Sequence, residues 1–134
     1  MSTNTIDNTG LYLVKGEAGK EGMLGAPLLY FTLLVNAVTG AVSGQARQKQ
    51  AVQSPYDSIL IENITGKIRS TGFDKYTKIV ALQGSTVISF PPPAIGSYLA
   101  PFSAHFAIDD AWNGVGGWSL GNQDVENVPV KSIE

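Results

Sequence analysis

The stretch LLYFTLLVNAV, residues 28–38, decides the fold. It is unbroken, apolar, and rich in β-branched and aromatic side chains, with Pro27 before it and Gly40 after it. A strand with one wet face must alternate apolar with polar residues, whereas a strand covered on both faces need not. The run therefore predicts a central strand. Immediately after it, Val42, Gly44 and Ala46 alternate with Ser43, Gln45, Arg47 and Lys49, a period of two with the polar members on one face. Further on, Ile59 and Ile61 alternate with Leu60 and Glu62, and Ile64, Gly66 and Ile68 alternate with Thr65, Lys67 and Arg69, another half-buried pattern.

The segment STGFD, residues 70–74, has the Gly and Asp of a hairpin turn, and residues 75–90 supply a long strand with Tyr76, Val80, Leu82, Val87 and Phe90 as its apolar members. Gly84 is a point for a bend or bulge. Pro91, Pro92 and Pro93 end the pairing, since none carries a backbone N–H. Beyond them Phe102, Ala104, Phe106 and Ile108 alternate with Ser103, His105 and Ala107, which predicts Phe106 and Ile108 inside and His105 outside. Residues 109–117 carry turn signals, including Asn113-Gly114, and Gly114-Val115-Gly116-Gly117 reads as a Gly-rich turn. Trp118 and Leu120 open a last strand that continues through Val125, Val128 and Val130. No window sustains a helical apolar stripe. The expected fold is all-β, an antiparallel meander of roughly eight strands forming either an up-and-down β-barrel or a two-sheet β-sandwich. An internal echo, Val38-Thr39-Gly40-Ala41-Val42 against Ile64-Thr65-Gly66-Lys67-Ile68, implies that two strands use glycine for the same turn or close approach.

With 134 residues the chain supports one core, so a single all-β domain over 1–134 is expected, with residues 1–9 as a flexible amino terminus. MSTNTIDNTG lacks the basic start and apolar run of a cleaved secretory signal, which favours a cytoplasmic protein or one exported without such a signal. No apolar run approaches the ~20 residues of a membrane helix. The absence of cysteine removes disulfides, thiolate metal sites and cysteine nucleophiles. Nine Lys and Arg against eleven Asp and Glu give a net charge of −2, so no basic excess favours nucleic acid. Only 15% of residues are charged, which points to a homo-oligomer, most simply a symmetric dimer.

Residues that could carry chemistry are few. His105 is the one histidine, and along its strand face Ser103 and Asp109 are too far away for a relay, since four strand residues span roughly 13 Å. No catalytic set, metal site or cofactor follows from the sequence. Asp109, Asp110, Trp112 and Asn113, with Trp118, offer carboxylates, an amide and aromatics for a small-molecule or carbohydrate ligand, although the D-x-D-x-D-G spacing of a calcium loop is missing. Arg47 and Lys49 share one strand face and Lys67 and Arg69 another, and side by side they form an anion-binding patch. Phosphate loops, GxSxG elbows and GxGxxG fingerprints are absent. The sequon Asn63-Ile64-Thr65 is short enough to arise by chance.

The segments YFTLLVNAVTGAVSGQARQ, ITGKIRSTGF, KYTKIVALQG, SFPPPAIGSYLAPFSAHFAIDD and WNGVGGWSLGN resemble a family of uncharacterised bacterial proteins, the domain of unknown function DUF1842, from about Leu11 onward. The resemblance implies a bacterial source and no activity. The Thr-Gly-x-apolar strand starts are also similar to those of avidin-type barrels, but Trp112 and Trp118 do not supply the tryptophans of a biotin pocket. Three functions compete. The first is a non-enzymatic, self-associating binding or interaction protein. The second is a barrel carrying a small apolar ligand, lined by Phe31, Phe90, Tyr98, Phe102 and Phe106. The third is an enzyme built on carboxylates such as Asp57, Asp109 and Asp110.

Overall fold

A computed structural model describes residues 10–20, 22, 25–52, 57–71 and 76–133. The strands are β1 (Leu11–Ala18), β2 (Leu28–Asn36), β3 (Ala41–Lys49), β4 (Ser58–Ser70), β5 (Lys78–Ser89), β6 (Ser97–Ile108), β7 (Gly114–Leu120) and β8 (Gln123–Ser132). Each pairs antiparallel with the next, and β1 pairs with β8, so the sheet closes as a barrel in simple meander order. Closure settles the choice between barrel and sandwich. No helix among the described residues is long and apolar enough to cross a membrane. Residues 1–9, expected as a flexible terminus, and residues 72–75, which take in the last three of the STGFD turn, lie outside the described residues.

The central strand is β2, where Leu29, Phe31, Leu33 and Val35 face the interior. Phe106 and Ile108 are buried on β6 while His105 is exposed, as alternation requires. β1 falls outside the segments that alternation picks out, because Leu11 and Leu13 are apolar on the face that meets solvent. The single last strand is in fact two, β7 and β8, joined at Gly121, whose positive φ of 61° suits the tight turn. On β4 the inward phase moves from Ile61 to Ile64, because the register against β3 slips there and leaves Glu62 and Asn63 opposite the single residue Gln45.

The run Gly114-Val115-Gly116-Gly117 corrects the expected turn: it is strand. A side chain on Gly114 would stand 1.9 Å from the Ala107 carbonyl oxygen, and one on Gly116 would stand 2.3 Å from that of His105. Glycine here lets two strands approach closely, as a tightly coiled small barrel demands. The echo around Gly40 and Gly66 is likewise not a structural repeat. Gly40 closes the β2–β3 turn at φ 79°, donating to Asn36 O at 2.7 Å, while Asn36 Oδ1 accepts the Val38 and Thr39 amides. Gly66 instead lies in mid-strand against Ala81.

Inside, the Phe31 ring stacks on Phe106 at 5.3 Å and meets Trp112 at 6.1 Å. Gly16 makes room for that plug, since a Cβ there would sit 2.2 Å from Phe31 Cζ. Phe31, Phe102 and Phe106 are thus core residues.

One part of the wall stands apart. β4–β5 pairing stops at Thr65↔Gln83 and β6–β7 pairing at Phe102↔Leu120, yet β5 and β6 remain paired with each other as far as Ser89↔Ser97. Past those points β5 and β6 continue together as a two-stranded arm, whose inward residues Ile88 and Ala100 stay buried. The Pro91–Pro93 segment forms its tip, where Phe90 N donates to Gly96 O. At the base two side chains bridge the opening between β4 and β5. Ser85 N donates to Asn63 Oδ1 at 3.1 Å, and Thr86 Oγ1 donates to Leu60 O at 2.8 Å.

Candidate ligand site at the barrel mouth

The two ends of the barrel differ. At one end the loop after β6 folds inward as a plug. Asp109 Oδ1 accepts the amides of Ala111 and Asn113 at 2.9 and 3.0 Å, an Asx-type turn that holds Trp112 at a positive φ of 65° with its side chain inside. The Trp112 indole is fully buried and donates to the Tyr12 hydroxyl at 3.2 Å. Asn113 Oδ1 accepts from Ser132 N, and Asp110 accepts from Lys78 Nζ and Thr77 Oγ1. Lys78, ahead of Thr77, holds the Asp110 carboxyl below its ordinary value. The polar groups of this loop are thereby engaged in fixing its own backbone and the neighbouring strand.

Burial raises the Tyr12 phenol above its ordinary value, and the bond from Trp112 opposes that shift as a smaller effect. A phenol held neutral by the fold contributes stability that is complete below the unfolded-state pKa of about 10 and is lost as pH rises from there towards the folded value. Chemical denaturation of the wild type should therefore show stability falling above pH ~10, with a shallower fall in Tyr12→Phe. Parallel alkaline limbs in the two proteins would remove Tyr12 from this account.

The other end carries the β1–β2 and β3–β4 connections, of which residues 21, 23–24 and 53–56 lie outside the described residues. A cavity of about 590 Å³ lies between the loops and the arm, walled by Ile59, Ile88, Leu120 and Tyr98, with Gln48, Gln50 and Gln123 on its polar side. Among the described residues that line it none is Asp, Glu, Lys, Arg or His. Trp118 lies beneath, 1% exposed, and begins a chain of hydrogen bonds. Its Nε1 donates to Gln48 Oε1 at 2.7 Å, and Gln48 Nε2 donates to Gln123 Oε1 at 3.1 Å. Gln123 Nε2 then donates to Gln50 Oε1 at 3.3 Å, and Gln50 Nε2 to Gly25 O at 2.9 Å. An indole N–H can only donate and a carbonyl can only accept, so the two ends fix the orientation of all three amides. Each amide uses one donor and one lone pair in the chain and keeps one of each for another partner.

The residues singled out in the sequence are thus divided between the ends. Asp109, Asp110, Trp112 and Asn113 belong to the plug, while Trp118 belongs to the floor of the mouth. Arg47, Lys49, Lys67 and Arg69 lie on adjacent strands, but the antiparallel register separates the pairs. Lys67 is opposite Ala41, six residues from Arg47 along β3, which is roughly 20 Å. Arg47 donates to Ser58 Oγ at 2.8 Å, and Lys49 Nζ lies 5.9 Å from the Tyr30 ring centre. Asp57, just before β4, is at the opposite end of the barrel from Asp109 and Asp110. His105 Nε2 is 3.2 Å from Glu126 Oε1 on the exposed wall. Among the described residues no group of three or more His, Cys, Asp or Glu is placed to hold a metal ion. The three glutamines were missed. Gln48 carried a signal, because it shares the parity of Val42 and Ala46 and so is a polar residue on the core face.

Among the described residues, fold and site together define a small meander barrel, plugged at one end by the loop after β6 and lined with amides and without charged side chains around the cavity at the other. The chain belongs to the family described as Domain of unknown function (DUF1842), which matches residues 9–124 and so takes in both the mouth and the arm. No curated protein matches it.

Proposed function

We propose that the protein is a non-enzymatic binding protein that takes a small neutral molecule in the barrel mouth. The observation that carries this reading is the oriented amide chain at the edge of an uncharged cavity. Amides that keep a donor and an acceptor each suit a ligand that offers both, such as a carboxamide or a sugar hydroxyl. Ile59, Ile88, Leu120 and Tyr98 suit its apolar face. A charged ligand would leave water without a counter-charge in the lining, which is unfavourable. Among the described lining residues no side chain offers the acid–base pair that hydrolytic chemistry requires.

Trp118 makes the test direct, since its indole N–H ends the amide chain. Neutral N-acetylated sugars and simple carboxamides should raise the melting temperature and shift tryptophan emission, whereas carboxylates and amines of the same size should not. Gln123→Leu removes the middle of the chain and should weaken binding about tenfold, the equivalent of one hydrogen bond of roughly 1.4 kcal/mol. If no neutral compound shifts either signal, or if Gln123→Leu binds as the wild type does, the mouth is not the site.

A further inference from the structure

We infer that two copies of the chain join through the free strand edge of the β5–β6 arm, the Ser97–Leu99 edges pairing antiparallel about a twofold axis at Tyr98. The directions of the backbone groups follow from two observed bonds. Gly96 O accepts from Phe90 N, so Gly96 faces β5, whereas Pro101 O accepts from Gly121 N and faces the β7 side. Alternation along β6 then turns the N–H and C=O of Ser97 and Leu99 away from β5 as well. β7 ends at Leu120, opposite Phe102, so among the described residues these four groups have no strand beside them. An unpaired stretch of this kind offers backbone groups that template pairing with another strand.

The composition of the arm agrees. No Asp, Glu, Lys or Arg occurs between Lys78 and Asp109, so the lysines that commonly guard a projecting edge are missing. On the outer face Val87 is opposite Leu99, exposed by 65% and 67%, and Ile95 at the tip is 96% exposed. A bilayer would cover these side chains but leave the backbone edge unsatisfied in hydrocarbon. A second copy satisfies the backbone edge and sets Leu99 beside the other copy's Ser97 on the same face. Pairing about Tyr98 sets Leu99 against the other copy's Ser97 and Ser97 against its Leu99, so all four groups on each side find partners. A twofold axis also closes the assembly at two.

The edge shares Tyr98 and Leu99 with the lining of the mouth cavity, and it is tested through the mass of the protein without any ligand. Light scattering from micromolar to millimolar concentration should show a mass rising from 14.2 kDa towards twice that value. Leu99→Pro, which removes one donor, and Leu99→Lys, which keeps the backbone and adds like charges, should both restore the monomer mass with the β-type circular dichroism retained. The chain has no cysteine of its own, so Tyr98→Cys should oxidise to a covalent dimer. Ser103→Cys, on the same strand but paired on both sides within the wall, should not. A monomer at every concentration overturns the inference. So does a dimer that persists in folded Leu99→Lys, or a monomer that floats with neutral phosphatidylcholine vesicles.

Discussion

Phe106→Ala should lower the unfolding free energy by about 3–5 kcal/mol, a large share of the roughly 5–15 kcal/mol that holds a domain of this size together. The ring is 1% exposed, stacks on Phe31 and lies over Gly116, whose missing side chain leaves it room. Removing it opens a void at the middle of the barrel, where closed strands on every side limit collapse, so both the transfer and the cavity contributions are lost. Urea denaturation of the variant should show a lower midpoint with an unchanged slope. A neutral result would mean that this side chain does not fill the core. Ser103→Ala, on the outward face of the same strand, should stay within about 0.5 kcal/mol and serves as the comparison.

Gly66→Ala should be the second most damaging of these changes, at about 3 kcal/mol. A Cβ at this position would stand 2.0 Å from the Ala81 carbonyl oxygen and 2.9 Å from Leu82 Cα, both backbone atoms that cannot turn aside. The β4–β5 ladder has to part to admit a methyl group, and this is the ladder that already ends early at Thr65↔Gln83. Gly40 occupies the same place in the echoed motif but does different work. Its positive φ makes Gly40→Ala a matter of local strain, about 1–2 kcal/mol. Thermal denaturation of both variants checks the order. Equal losses, or a greater loss at Gly40, would contradict the account of Gly66 as a point of strand contact.

The all-β meander was legible because inward and outward residues alternate cleanly along β3 and β6, and because Pro91–Pro93 and Gly40 punctuate the chain. What escaped was set by contacts that period-two patterning does not encode. β1 hid behind outward-facing leucines. The glycines of β7 resembled a turn because the same lack of a side chain serves a turn and a close strand approach. At the site, tryptophan in a Gly-rich, acidic segment suggested a ligand surface, whereas both indoles are buried. Trp112 is turned inward by an Asx turn whose bonds exist only once the chain has folded. The amide chain of the mouth joins β3, β7, β8 and the loop at Gly25, and no local window contains it. Only the parity of Gln48 announced a polar residue where an apolar one was due.

The ring of strands closes through its shortest ladder, three pairs from Gly16↔Ser132 to Ala18↔Val130, between segments nearly the whole chain apart. All other ladders join neighbours in sequence and can form locally, while this one must wait for the largest loop closure in the molecule. During synthesis the β1 edge accordingly stays bare until the final strand emerges, and the nascent protein passes through an open curled sheet. The last few residues of β8 act as a latch, and latching turns an open sheet into a closed ring of strands.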